Sequence, residues 1–176
     1  IIASQDGSFD DANLADIPVP SLEDTPNINA DISIVSSNDT VSEDQAERIK
    51  IDTQNIEGSI SLVGARIDDI QLKNFKETML EDSPLVQILK PASSQKPFYV
   101  HHGWVAGPKE NINLPNEKSI WKLVKGNTLT ETSPITLEWD NNDGLTFSKK
   151  IEIDSDYLFT INQSVTNNTS ANFTLY

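Results

Sequence analysis

With 176 residues, 36% of them hydrophobic and 23% charged, the chain is long enough for one domain with a proper core, though somewhat polar for a compact globule. Thirteen Lys and Arg against 27 Asp and Glu leave a net charge of −14, a sign that repels phosphate and argues against nucleic acid as a partner. There is no cysteine, which excludes thiolate zinc sites, thiol nucleophiles, redox motifs and disulfides, and no uncharged apolar run nears the roughly 18 residues that a membrane-spanning helix needs.

The chain opens at Ile1 without a basic region leading into an apolar one, and reads as a piece of a longer protein. Residues 1–47 hold eleven carboxylates and no Lys or Arg, with Pro18, Pro20 and Pro26 among repeated Ser, Asn and Asp. Their apolar residues are too sparse to offset the entropy of ordering, so 1–47 is expected to be a disordered acidic linker. A short strand at Ile32–Val35 is the competing reading.

From Arg48 the pattern changes to period two, the signature of half-buried strands. Arg48–Asp52 alternates polar and apolar residues, and Ser59–Leu62 does the same before Gly64. In Ala65–Leu72 the apolar parity switches between Ile67 and Ile70, which predicts a bulge or bend at Asp68-Asp69. Leu72–Leu80 is the best short helical candidate. Phe98–Tyr99–Val100 running into His101–Val105 reads as a further strand, and Trp121 with Leu123 marks another.

The C-terminal third has the plainest pattern. Ile135, Leu137 and Trp139 alternate with polar residues, and Asp140–Gly144 carries hairpin-turn chemistry because Asn, Asp and Gly tolerate positive φ. The return strand sets Leu145, Phe147, Ile151 and Ile153 on one face, with Thr146, Ser148, Lys150 and Glu152 on the other. After Ser155-Asp156, the residues Tyr157, Phe159, Ile161 and Val165 line the next strand, and a last one is expected at Phe173–Tyr176, open to association at its edge. The expected fold is all-β, an antiparallel β-sandwich over residues 48–176.

Candidate chemistry is thin. His101 and His102 are the only histidines; neighbours on a strand point to opposite faces and a catalytic zinc takes three protein ligands, so they read as strand-edge residues. The Asp140–Gly144 run fails as a calcium loop, since setting Gly144 sixth puts Trp139 first and Lys150 twelfth. Asp68-Asp69 reads as a surface bend rather than a paired-carboxylate site. Asn-x-Ser/Thr triplets include those beginning at Asn38, Asn162, Asn168 and Asn172, with chance occurrence as their reading. Trp104, Trp121 and Trp139 suit core packing better than a sugar-stacking platform. No Gly-x-Ser-x-Gly elbow and no phosphate loop is present. No catalytic, cofactor-binding or metal-binding residue is assigned, and no enzyme activity or cofactor is expected.

From Arg48 on, the runs Arg48–Thr53, Gly58–Leu62 and Gly64–Asp69 resemble the start of the periplasmic domain of the YidC membrane protein insertases in their alphaproteobacterial form. The likeness continues through Ser83-Pro84, Pro97–Tyr99, Gly103–Val105, Trp121, Leu137–Asn141, Gly144–Phe147, Val165–Asn168 and Leu175-Tyr176. It implies a truncated β-supersandwich on the periplasmic side of the bacterial inner membrane, preceded by a variable linker where residues 1–47 lie. It further implies a parent protein that inserts and folds inner-membrane proteins, in contact with the Sec translocon and with client proteins. The insertion groove belongs to a membrane core with no counterpart here. A carbohydrate-binding or mutarotase-like sandwich is the alternative, although one adjacent His pair does not supply the acid and base such an enzyme needs.

Overall fold

The computed structural model describes residues 46–108 and 110–176. Residues 1–45 of the acidic linker expected over 1–47, and the strand reading at Ile32–Val35, therefore lie outside the described residues. Those described form eight strands and no helix, in two antiparallel four-stranded sheets ordered β1-β2-β3-β4 and β5-β6-β7-β8. Every neighbour within a sheet is also a neighbour in sequence, as expected for chains joined by short turns.

The first sheet begins with β1 (Arg48–Asp52), which buries Ile49 and Ile51 and turns at Thr53. The Thr53 hydroxyl accepts the Asn55 and Ile56 N–H groups at 3.2 and 2.8 Å, closing the hairpin into β2 (Ile56–Ser61). Between β2 and β3 (Arg66–Lys76) the register passes from Ser59↔Asp69 to Ile60↔Ile67. Asp68 is thus the extra residue of a bulge, at the place where the apolar parity switches. β3 continues into β4 (Leu85–Leu89) through an exposed hairpin tip.

The second sheet comprises β5 (Lys122–Lys125), β6 (Ile135–Asp140), β7 (Leu145–Ile153) and β8 (Phe159–Asn167). The turn between β6 and β7 is the one its Asn, Asp and Gly residues predict. Buried Asn141 accepts the Asp143 and Leu145 N–H groups at 2.8 and 3.0 Å through its side-chain oxygen, while Asn142 and Gly144 adopt φ of 60° and 89°. That oxygen is thus committed to the turn itself.

Each sheet has one apolar face, and the two faces share one core, with Ile49, Ile51, Ile60 and Ile67 from one sheet and Ile135, Leu137, Phe147 and Ile151 from the other. Backbone hydrogen bonds stitch the sheets together on the β1/β5 side. Asp52 donates to the Leu129 carbonyl and Leu129 to that of Lys50, while Gly64 donates to Ser119 and Trp121 to Leu62. Among the described residues no such bond joins β4 to β8.

Several sequence expectations need correction. The strand at Phe98–Val105 does not form: Phe98 bridges Lys90, Val100 bridges Ile67 and Val105 bonds Tyr176, so the segment touches three partners briefly and lies along none. Phe173–Tyr176 likewise makes only an isolated bridge, Leu175 to Ala106. The helical candidate Leu72–Leu80 is instead the end of β3 and its hairpin tip, because pairing of β3 with β4 outweighs a weak local preference. β4 itself escapes the sequence reading, and Tyr157, at φ 69°, belongs to the turn before β8.

The bulge depends on Gly58. A Cβ there would stand 1.9 Å from the Asp69 backbone oxygen, so any side chain must push β2 off β3. Gly58→Ala is expected to cost ~2 kcal/mol or more, as overpacking against a backbone that cannot yield. Urea unfolding followed by tryptophan fluorescence checks this against Gly107→Ala, where the nearest atoms are 3.2 Å or more away.

Candidate functional site

The sequence candidates end up mostly in structural roles. Asp68 does not sit on a surface bend. It is 1% exposed, paired with Arg48, and lies 3.7 Å from the guanidinium of buried Arg66. The bulge turns this carboxylate toward the two arginines, and the Arg66 guanidinium in turn lies over the Tyr99 ring at 5.3 Å. Asp69 goes separately to Ser59, whose hydroxyl donates to it at 2.9 Å. The two aspartates thus never act as one carboxylate pair.

The three tryptophans pack inward to different degrees. Trp121 is 2% exposed and stacks with Trp104, ring centroids 6.2 Å apart, while Trp104 meets Phe147 edge-on at 5.0 Å and Trp139 tilts against Phe147 at 5.7 Å. Ring faces used in this way do not form an exposed sugar platform.

This aromatic group encloses a residue that draws no attention in the sequence. Lys149 lies between Phe147 and Ile151 on the apolar face of β7, opposite Leu137 on β6, and is 2% exposed. Its ammonium lies 4.8 Å from the Trp121 ring centroid and 5.8 Å from that of Trp104, and it donates to the His102 carbonyl at 2.5 Å. Among the described residues it forms no ion pair with a carboxylate. Gln163, its cross-strand neighbour on β8, donates to the next carbonyl, Gly103, at 3.4 Å. These side chains supply the hydrogen bonds that a neighbouring strand would otherwise give the 101–105 segment. Period two places residue 149 on the buried face, which is the signal that could have found it.

Burial pushes the Lys149 ammonium down to about 8. Partial burial, with the Lys149 cation adding to it, holds both His101 and His102 below the usual imidazole value. Among the described residues no three His, Asp or Glu side chains converge as a metal site would need.

One concavity is almost wholly apolar. On the unstitched β4/β8 side, a groove of about 440 Å³ opens between the sheets. Ile56, Ile70 and Leu89 form its buried floor, Leu72, Phe75 and Ile88 its wall in the first sheet, and Tyr157 and Phe159 its wall in the second. Phe75, Ile88 and Tyr157 stay 52, 44 and 40% exposed, an unusual amount of large apolar surface to leave in water at one place. No charged side chain lines it, and Tyr157 is the one lining residue with a polar side-chain atom, so it suits apolar side chains. None of these residues was a sequence candidate, although Leu85–Leu89 after Pro84 carries a strand signal.

Residues 48–176 match the family model described as the YidC periplasmic domain. Over 121 residues the chain is 47% identical to a membrane protein insertase YidC of Ruegeria sp. (strain TM1040), covering 68% of this chain and 20% of that protein. It is 43% identical over 129 residues to the protein of that name from Nitrobacter hamburgensis, 73% of this chain and 21% of the relative. With the Roseobacter denitrificans protein of the same name it shares 40% over 155 residues, 85% of this chain and 26% of the relative. The chain spans about a fifth to a quarter of the length of these curated relatives.

The lysine carries a pH signature. Its folded value of about 8 lies below the ordinary lysine value of 10.5, so between these the unfolded chain holds a proton that the folded chain has released, and stability rises with pH. The gain is lost as pH falls through about 8. Lys149→Met is expected to remove that rise, on the order of 1–3 kcal/mol, and to flatten the difference between urea-unfolding curves recorded at pH 7.5 and 10. A rise that survives the substitution would assign it to other groups.

Proposed function

The chain belongs to the YidC periplasmic domain family, and on that footing we propose that it acts by binding polypeptide rather than by breaking bonds, aiding the insertion and folding of inner-membrane proteins. Its setting is the periplasmic side of the bacterial inner membrane. The catalytic or conducting work of insertion belongs to parts of the parent protein outside this domain. Here the domain offers a docking site, working with the Sec translocon and acting as a chaperone toward client segments in transit. The acidic residues 1–47 serve as the spacer that precedes it.

The observation that supports this reading is the groove between Phe75 and Ile88 on one sheet and Tyr157 and Phe159 on the other. A catalytic cleft pairs apolar walls with a few convergent polar groups. This one has exposed aromatic and aliphatic walls, which suit the apolar side chains of a polypeptide not yet folded. It also suits a sugar poorly, since hydroxyl groups entering it would lose water without finding partners.

The test uses the full-length parent protein. A photo-crosslinking residue in place of exposed Phe75 is expected to capture newly made inner-membrane proteins, and Ile88→Asp to reduce both the capture and the rate of client insertion at least twofold. Unchanged insertion with no client captured would overturn the reading. Turnover of a sugar by the isolated chain would do so from the other side.

A further inference from the structure

Two connections close the groove end of the sandwich, and they share a composition. The β3–β4 tip carries Glu77, Glu81 and Asp82 around Met79 and Leu80, which are 103 and 68% exposed. The β7–β8 turn carries Asp154 and Asp156 beside Tyr157 and Leu158, the latter 62% exposed. Both are built rather than loose. Glu77 donates to the Pro84 carbonyl at 2.9 Å and Thr78 to the Ser83 hydroxyl at 2.9 Å, while the Asp154 carboxylate accepts the Asp156 and Leu158 N–H groups at 2.8 and 2.9 Å. A side-chain relay from Asn74 through Asn55 to the Ser155 carbonyl, 2.8 and 3.0 Å, ties the turn to the first sheet.

All five carboxylates are exposed, and none is in an ion pair among the described residues. Of the nearby lysines, Lys73 is paired with Asp52 and also donates to the Thr53 carbonyl, while Lys76, which donates to the Glu81 carbonyl, sets one cation against the three carboxylates of the tip. The apolar groove therefore has a negative rim. That rim selects among occupants. An anionic bilayer surface would be repelled by it, and a second copy would bring two such rims together.

We propose that this end of the domain binds a short apolar polypeptide segment flanked by Lys or Arg, the apolar side chains entering the groove beside Ile88 and Tyr157 and the cations meeting the Glu77–Asp82 and Asp154–Asp156 rims. The inference deepens the docking role proposed above and rests on it. The groove supplies affinity through buried apolar area, and the rim supplies choice and approach through charge.

The experiment titrates the 176-residue chain with a Leu/Ala peptide of about ten residues bearing a Lys pair at each end, and with its twin bearing Asp pairs. Binding is read by anisotropy at low and moderate salt. The Lys-flanked peptide is expected to bind at least fivefold more tightly, with the gap narrowing as salt rises. Ile88→Asp is expected to weaken both peptides about tenfold, with an unchanged thermal melt showing that the fold survives. Glu77→Lys with Asp156→Lys is expected to abolish or invert the preference while leaving the apolar contribution in place. Equal affinity for the two peptides would overturn the charge assignment yet leave the groove's docking role standing. Three other results would overturn the proposal: no binding of either peptide, tighter binding to phosphatidylglycerol vesicles that is lost with Leu158→Ser, or a dimer that Ile88→Asp dissolves and peptide does not.

Discussion

Two four-stranded meanders, each with one apolar face, must hide those faces against each other, and among the described residues backbone hydrogen bonds hold them along one side only. A fully buried Ile, Leu or Phe is worth ~1.5–3 kcal/mol over an exposed one, so the pairing of the faces is strongly driven. Its asymmetry has a structural result. On the β1/β5 side, the contacts of Ile51 with Leu129 and of Val63 with Ile120 draw the sheets together. On the β4/β8 side nothing equivalent exists among the described residues, and the interior reaches the surface as the groove. The docking role proposed above rests on this one-sided seam, because the apolar walls are an extension of the core rather than a patch added to it.

The charges inside the molecule are explained by the backbone they hold. Asp68 is the residue expelled from register by the bulge, and it is tolerable in the interior because Arg48 and Arg66 meet it there. Lys149 is a different case. With no carboxylate partner among the described residues, its cation is stabilised by two indole faces and one carbonyl, and its long stem fills the space between Phe147 and Ile151. In both places a charged side chain does for an irregular segment what a ladder of hydrogen bonds does for a strand.

Period-two stretches such as Arg48–Asp52, Ile135–Trp139 and Leu145–Ile153 were legible because a half-buried strand writes its own orientation into alternate positions. The Asp140–Gly144 turn was legible because its side chains bond their own backbone. The bulge was legible as a parity fault. By contrast, Phe98–Val105 has strand composition but finds only isolated bridges, and Leu72–Leu80 has a weak helical pattern overridden by a neighbouring strand. In both, the outcome depends on what lies alongside, which no local pattern records.

The kinship to the YidC periplasmic domain, the β class and most strand positions are thus written along residues 48–176 themselves, since they rest on interactions between residues near one another in the chain. The groove, its negative rim and the enclosure of Lys149 are not. They arise where Phe75, Ile88 and Tyr157, or Trp104, Trp121 and residue 149, are brought together from distant stretches. Only the packing of one sheet upon the other makes them neighbours.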